Sequence, residues 1–161
     1  KGNYMFQTLF DASTDQRIRG VEEIRQVFVE RLKRVAGKGT DRNIESCART
    51  EQGIFKEYFN SLNITDCGIC GRTLPDRFLI VAHKKRRSIC IESERLDLDI
   101  VMPMCLLGCD SLYEQGYIGV RDGAVYSKKL TDYGAIAALQ KALVGRRLDP
   151  LWLKCDGKYF D

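Results

Sequence analysis

Cys67-Gly68-Ile69-Cys70 and Cys105-Leu106-Leu107-Gly108-Cys109 bracket the stretch on which the reading of the chain turns. Residues 71–104 lie between the two pairs. A short loop lets both thiolates of one pair reach a single ion, and the second pair completes four-coordination. The spacing therefore predicts a tetrahedral zinc site on Cys67, Cys70, Cys105 and Cys109. Four ordinary buried cysteines, or two disulfides, are the plainer alternatives. A site closed by four thiolates leaves no position for water and is structural. Any chemistry must lie beside it. The candidates are His83, the only histidine of the chain, and Asp110, which follows the last cysteine. The staple also limits how far Asp110 can stray from His83.

Between the pairs, Phe78-Leu79-Ile80-Val81-Ala82 is rich in strand formers and predicts a buried strand with His83 at its end. Lys84-Lys85-Arg86-Arg87 follows at once. Four like charges in a row predict an exposed loop or rim, either a solubility patch or, being next to His83, a grip on DNA phosphates. Polar residues 88–99 predict a loop. Ile100 to Met104 is apolar and leads into the second cysteine pair. Asp110 to Gln115 predicts a short helix stopped by Gly116. Apolar runs on either side of Asp122-Gly123 predict a hairpin over residues 117–126.

The flanks are helical in pattern. Ile18, Val21, Ile24, Phe28, Leu32 and Val35 recur at steps of three and four, predicting a helix from about Asp15 to Ala36. Ser13, Thr14 or Asp15 can cap its start and Gly37 its end. Polar residues 37–48 predict a loop. A second helix is expected from Glu51 to Leu62 with Thr50 as cap and Ile54, Phe55, Tyr58, Phe59 and Leu62 inside. A last one is expected after Thr131 or Asp132, with Ile136, Leu139 and Leu143 inside. Residues 148–161 read as irregular.

With 44% hydrophobic and 30% charged residues and a net charge of +4, the composition fits a globular protein and permits a nucleic-acid partner without demanding one. No apolar run approaches a membrane span. Once four cysteines serve the metal, Cys47, Cys90 and Cys155 remain as isolated thiols, a pattern that suits a reducing cytoplasm.

Leu79-Ile80-Val81-Ala82-His83, then Glu94-Arg95-Leu96-Asp97, then Cys105 through Tyr113-Glu114-Gln115-Gly116-Tyr117-Ile118 resembles the HNH nucleases. It is most similar to the zinc-containing HNH domains of bacterial restriction endonucleases. The resemblance covers roughly residues 49–126. It implies a ββα-metal core, a hairpin and helix around one divalent ion, and an α+β fold overall. The chain itself reads as a zinc-stapled core over residues 61–130 with a helical arm over 1–60 and a C-terminal helix and tail over 131–161, and the resemblance makes that core a nuclease. It makes His83 the general base that activates water and Asp110 a ligand for Mg²⁺ or another divalent ion. The family's Asn falls on Ile100, which can neither bind metal nor hold the loop by hydrogen bonds. Either Asp99, one residue earlier, substitutes for it, or the alignment slips by one, or the site is weakened. Implied partners are double-stranded DNA and either a second copy or an additional specificity domain.

The chemistry of that set is coherent. An imidazole titrates near neutral pH and can take a proton from water, while a carboxylate-held cation steadies the phosphoryl oxygens. Two rivals come from other classes: a zinc-stapled DNA- or protein-binding module without catalysis, which Ile100 favours, and a cysteine-based redox protein.

Overall fold

The computed structural model describes residues 20–35, 50–154 and 158–160. The predicted caps of the first helix, the loop over 37–48, Cys47 and Cys155 lie outside these residues. The fold is α+β, with two small antiparallel sheets and a four-cysteine cluster.

Helix α1 (residues 20–35) turns Phe28 and Leu32 into the core. Helix α2 (Thr50–Ser61) buries Glu51, Ile54, Phe55, Tyr58 and Phe59, the i, i+3, i+4, i+7, i+8 stripe of an amphipathic helix. Their rings set the packing. Phe28 lies 5.5 Å from Tyr58, and Phe59 meets Trp152 edge-on at 5.6 Å. Aromatic pairs at these separations add to the burial of their own area.

The first cysteine pair follows α2 on a tight knuckle. An isolated bridge joins Asp66 to Thr73, Cys67 N–H donates to the carbonyl of Arg72, and Gly71 turns the chain at φ +66°. Strand β1 (Leu79–His83) then pairs antiparallel with β2 (Val101–Cys105), Leu79 opposite Cys105 and His83 opposite Val101. Every residue of β2 is buried. The connection between them, expected as plain loop, carries short helical turns, including α3 (Glu92–Arg95). Side chains stabilise them locally. Glu94 accepts the N–H of Ile91 at 3.1 Å, and Asp97 accepts that of Asp99 at 2.9 Å.

Helix α4 (Cys109–Glu114) leaves the second cysteine pair through Gly108 at φ +121° and packs on β2. Strands β3 (Ile118–Arg121) and β4 (Ala124–Ser127) form the expected hairpin. Asp122 and Gly123 both adopt positive φ at its turn, as a two-residue hairpin loop requires. Helix α5 (Gly134–Leu143) buries Leu143, but Leu139, expected inside, is 41% exposed. Gln140 takes the inward position instead, because its amide is needed by main-chain carbonyls beneath it. Among the described residues no helix is long and apolar enough to cross a membrane.

Candidate metal centre and adjoining cleft

Cys67 and Cys70 come from the knuckle, Cys105 from the end of β2 and Cys109 from the start of α4. All four are buried, and their Sγ atoms lie within 4.8 Å of one another. Cys70 and Cys105 sulfurs are 3.9 Å apart. Thiolates bound at about 2.3 Å around a tetrahedral ion would sit about 3.8 Å apart, so the sulfurs are already spaced for a metal such as zinc. Each of the five described cysteines is free, so the sulfurs are not paired as disulfides.

The charge balance points the same way. A hydrogen bond from Cys109, with help from the N–H groups of Cys70, Ile69 and Cys105, brings the Cys67 thiol down to about 5 in spite of its burial. Cys109, which keeps the shared proton, is pushed up, and burial pushes up Cys105. Arg72 donates from Nε to Cys70 Sγ at 3.3 Å, and that bond raises the arginine's own pKa. A buried cluster with the Cys67 thiol held low and a guanidinium against Cys70 suits a cation; a dication at the centre would supply the charge that the thiols need to ionise. The fifth described cysteine, Cys90, stands apart. It is buried, donates to the carbonyl of Arg86 at 3.3 Å, and is pushed up by desolvation.

β1 carries His83 to its last, buried position, where the imidazole meets the Phe55 ring edge-on at 6.2 Å. There it lines a cleft of about 390 Å³ together with Arg86, Tyr113, Glu114, Ile118 and Lys128. Asp110 is half-buried in the first turn of α4 and is not one of the cleft-lining residues; Glu114, one turn further along the helix, is. Burial, and then the charge of Glu114, raise the Asp110 pKa. Among the described residues, the four cysteines form the one group of three or more His, Cys, Asp or Glu side chains placed to share a metal ion.

Asp99, the expected substitute for the family's Asn, is engaged elsewhere. Both its oxygens accept from Arg25 of α1, at 2.8 Å each. Ile100 is fully buried in the core.

The basic run does not form the exposed rim expected for it. Lys84 is only 3% exposed: its Nζ donates to the carbonyl of Trp152 at 2.6 Å and lies over the Phe160 ring. Lys85 holds both oxygens of Glu94 at 2.7–2.8 Å, and Arg87 pairs with the buried Glu51 at 2.9 Å. Arg86 alone of the four is exposed, and it donates to the Glu114 carbonyl at 3.1 Å. The premise that like charges stay at the surface fails here because each of the others meets its own acceptor, which is what burial of a charge requires.

Sequence reasoning passed over Glu51, Glu114 and Lys128. Glu114 could have been found from its four-residue step beyond Asp110, which places both carboxylates on one helical face. No family model, curated protein or solved structure matches the chain.

Proposed function

We propose that the chain is a zinc-stapled, metal-dependent DNA endonuclease of the HNH type. The observation that carries this reading is the placement of the lone His83. An antiparallel β1–β2 pair and the following α4 present it on a cleft whose rim holds Arg86 and Lys128. The order of two strands and a helix is the one the HNH resemblance requires, and the zinc staple joins β2 to α4 through Cys105 and Cys109.

Phosphodiester hydrolysis then divides as follows. The His83 imidazole takes a proton from the attacking water. Arg86 and Lys128 draw the phosphate into the cleft and balance its charge. A divalent ion, when bound, supplies Lewis-acid stabilisation of the leaving oxygen. Glu114, which lines the cleft, is the carboxylate that would hold it there; Asp110, the ligand the resemblance implies, is not among the lining residues. The zinc staple takes no part in the chemistry and keeps the helix start fixed against the strand.

The reading is tested with supercoiled plasmid and a single-stranded circle, each incubated with Mg²⁺, Mn²⁺ or Ni²⁺. Cleavage stopped by EDTA and abolished in His83→Ala, with zinc content and circular dichroism retained, is the expected result. Cleavage unchanged in that variant would overturn it.

A second reading, a binding module without catalysis, is favoured by Ile100, buried where the family carries a polar residue. It predicts DNA or protein binding with no cleavage under any divalent ion. The redox alternative predicts a Cys67–Cys70 disulfide and is opposed by one zinc per chain in elemental analysis.

A further inference from the structure

Residues 128–133 join β4 to α5 and put an unusual set of side chains at the surface. Leu130 is 90% exposed and Tyr133 72%, with Lys128 and Lys129 immediately before them. A single exposed leucine needs no explanation. Here position, rigidity and charge coincide.

The position is beside the His83 cleft, which the first connector residue, Lys128, lines. The rigidity comes from beneath. Buried Gln140 spends its amide N–H groups on the carbonyls of Tyr117 at 2.7 Å and Lys129 at 2.8 Å, with Ser127 Oγ at 3.2 Å. The main-chain N–H groups of Lys128 and Lys129 both reach Tyr117 O, and Thr131 Oγ1 accepts the N–H of Tyr133. These bonds anchor the connector's backbone at Lys128, Lys129 and Tyr133, which lowers the backbone ordering that binding must supply. The charge is two lysines against one acid, Asp132, with Arg86 on the rim of the same cleft.

Cations set among an aromatic and an aliphatic side chain suit one ligand better than others. Phosphates of any nucleic acid would satisfy the lysines, but that contact needs no apolar group. Apolar side chains are used when base faces are accessible, on a single strand or at an unstacked step. We propose that the connector is a nucleic-acid contact surface for the cleft and that it takes a DNA strand with unpaired bases. Leu130 and Tyr133 lie against base faces, and Lys128 and Lys129 meet the flanking phosphates. The choice of nucleic acid as ligand rests on the nuclease reading; the choice of an unpaired strand rests on the connector itself.

The test is fluorescence anisotropy of the full chain, zinc-loaded and carrying His83→Ala so that the probe survives. The probes are a labelled 20-nucleotide single strand and the duplex of the same sequence. The single strand binds more tightly than the duplex. Leu130→Ser with Tyr133→Ala weakens single-strand binding by about fivefold or more and leaves the salt dependence unchanged. Lys128→Gln with Lys129→Gln flattens the slope of log K against log salt by about 1.4, at about 0.7 per phosphate contact. Zinc content reports that each variant is folded. Equal affinity for both probes, or an apolar double variant that binds like its parent, overturns the proposal. The two readings fail separately. Connector-dependent strand binding in a chain that never cleaves removes the nuclease and keeps the surface. His83-dependent cleavage that ignores Leu130 and Tyr133 removes the surface and keeps the nuclease.

Discussion

Replacing Asp99 with alanine asks whether this carboxylate serves a catalytic metal or the fold. Both oxygens accept from Arg25 at 2.8 Å, and the two side chains are 15% and 10% exposed. Truncating one partner of a fully buried pair costs about 3–5 kcal/mol, because the other charge is stranded. The residual exposure of this pair, and Asp97 Oδ1 at 3.9 Å from the same guanidinium, leave Arg25 partly compensated, so we expect about 2–3 kcal/mol. At about 2–4 °C per kcal/mol for a domain of this size, the melting temperature falls by about 5–10 °C. Urea titration of zinc-loaded protein measures the loss directly. Arg25→Met alone should cost a comparable amount. Arg25→Met combined with Asp99→Leu should recover most of it, since an apolar pair leaves no stranded charge. Under the nuclease reading, cleavage per folded molecule should stay at the level of the parent. If Asp99→Ala instead melts like the parent while divalent-dependent cleavage collapses, Asp99 is a metal-site residue and the structural account of it is wrong.

Four further outcomes follow from the geometry. If the four-cysteine cluster holds zinc as proposed, chelation in mild denaturant, or Cys105→Ala, should abolish cooperative unfolding, since a structural zinc site contributes folding free energy outright; calorimetry checks it. Gly68→Ala should cost about 1–3 kcal/mol in urea titration, because its new Cβ would lie 2.5 Å from Met102 Cε and 3.2 Å from the Pro103 carbonyl. Under the nuclease reading, Lys84→Met should leave the salt slope of DNA binding unchanged, because its ammonium is committed to the Trp152 carbonyl; a flatter slope would restore it as a phosphate contact. Hydrogen bonding to Lys85 holds the Glu94 carboxyl below the usual range. A depressed folded pKa gives stability that is present above the unfolded value and lost as pH falls through the folded one. The gap in urea midpoint between the parent and Glu94→Gln should therefore be widest near neutral pH and close below about pH 4; a gap constant down to pH 2.5 refutes the pairing.

Local pattern reached the elements whose side chains act on their immediate neighbours. The cysteine spacing announced four sulfurs that do converge. The α2 stripe from Ile54 to Phe59, the strand ending at His83 and the Asp122-Gly123 turn all lie where short-range rules put them. What escaped was set by partners far away in the chain. Lys84 is buried because Trp152 and Phe160 close over it. Asp99 answers to Arg25, 74 residues earlier, and Arg87 to Glu51, 36 residues earlier. Gln140 displaced Leu139 from the interior because Tyr117 and Lys129 offer carbonyls there. A run of four cations carries no mark of which acceptor each will find, so the sequence predicts a surface, whereas the fold gives Lys85 and Arg87 carboxylate partners and Lys84 a carbonyl, and leaves only Arg86 exposed. Glu114 and Lys128 reach the cleft for the same reason: the walls around His83 come from α4, β3 and the residue that follows β4, which meet only in the tertiary structure.

Those distant pairings bear on how the chain can be cut. A fragment begun at residue 61 retains Arg87 and Asp99 but discards Glu51 and Arg25, their counter-ions. It also removes Phe55, against which the His83 ring rests. An inert or insoluble excised fragment would thus be a report on two stranded charges and a missing wall, and would say nothing about the chemistry of the intact protein.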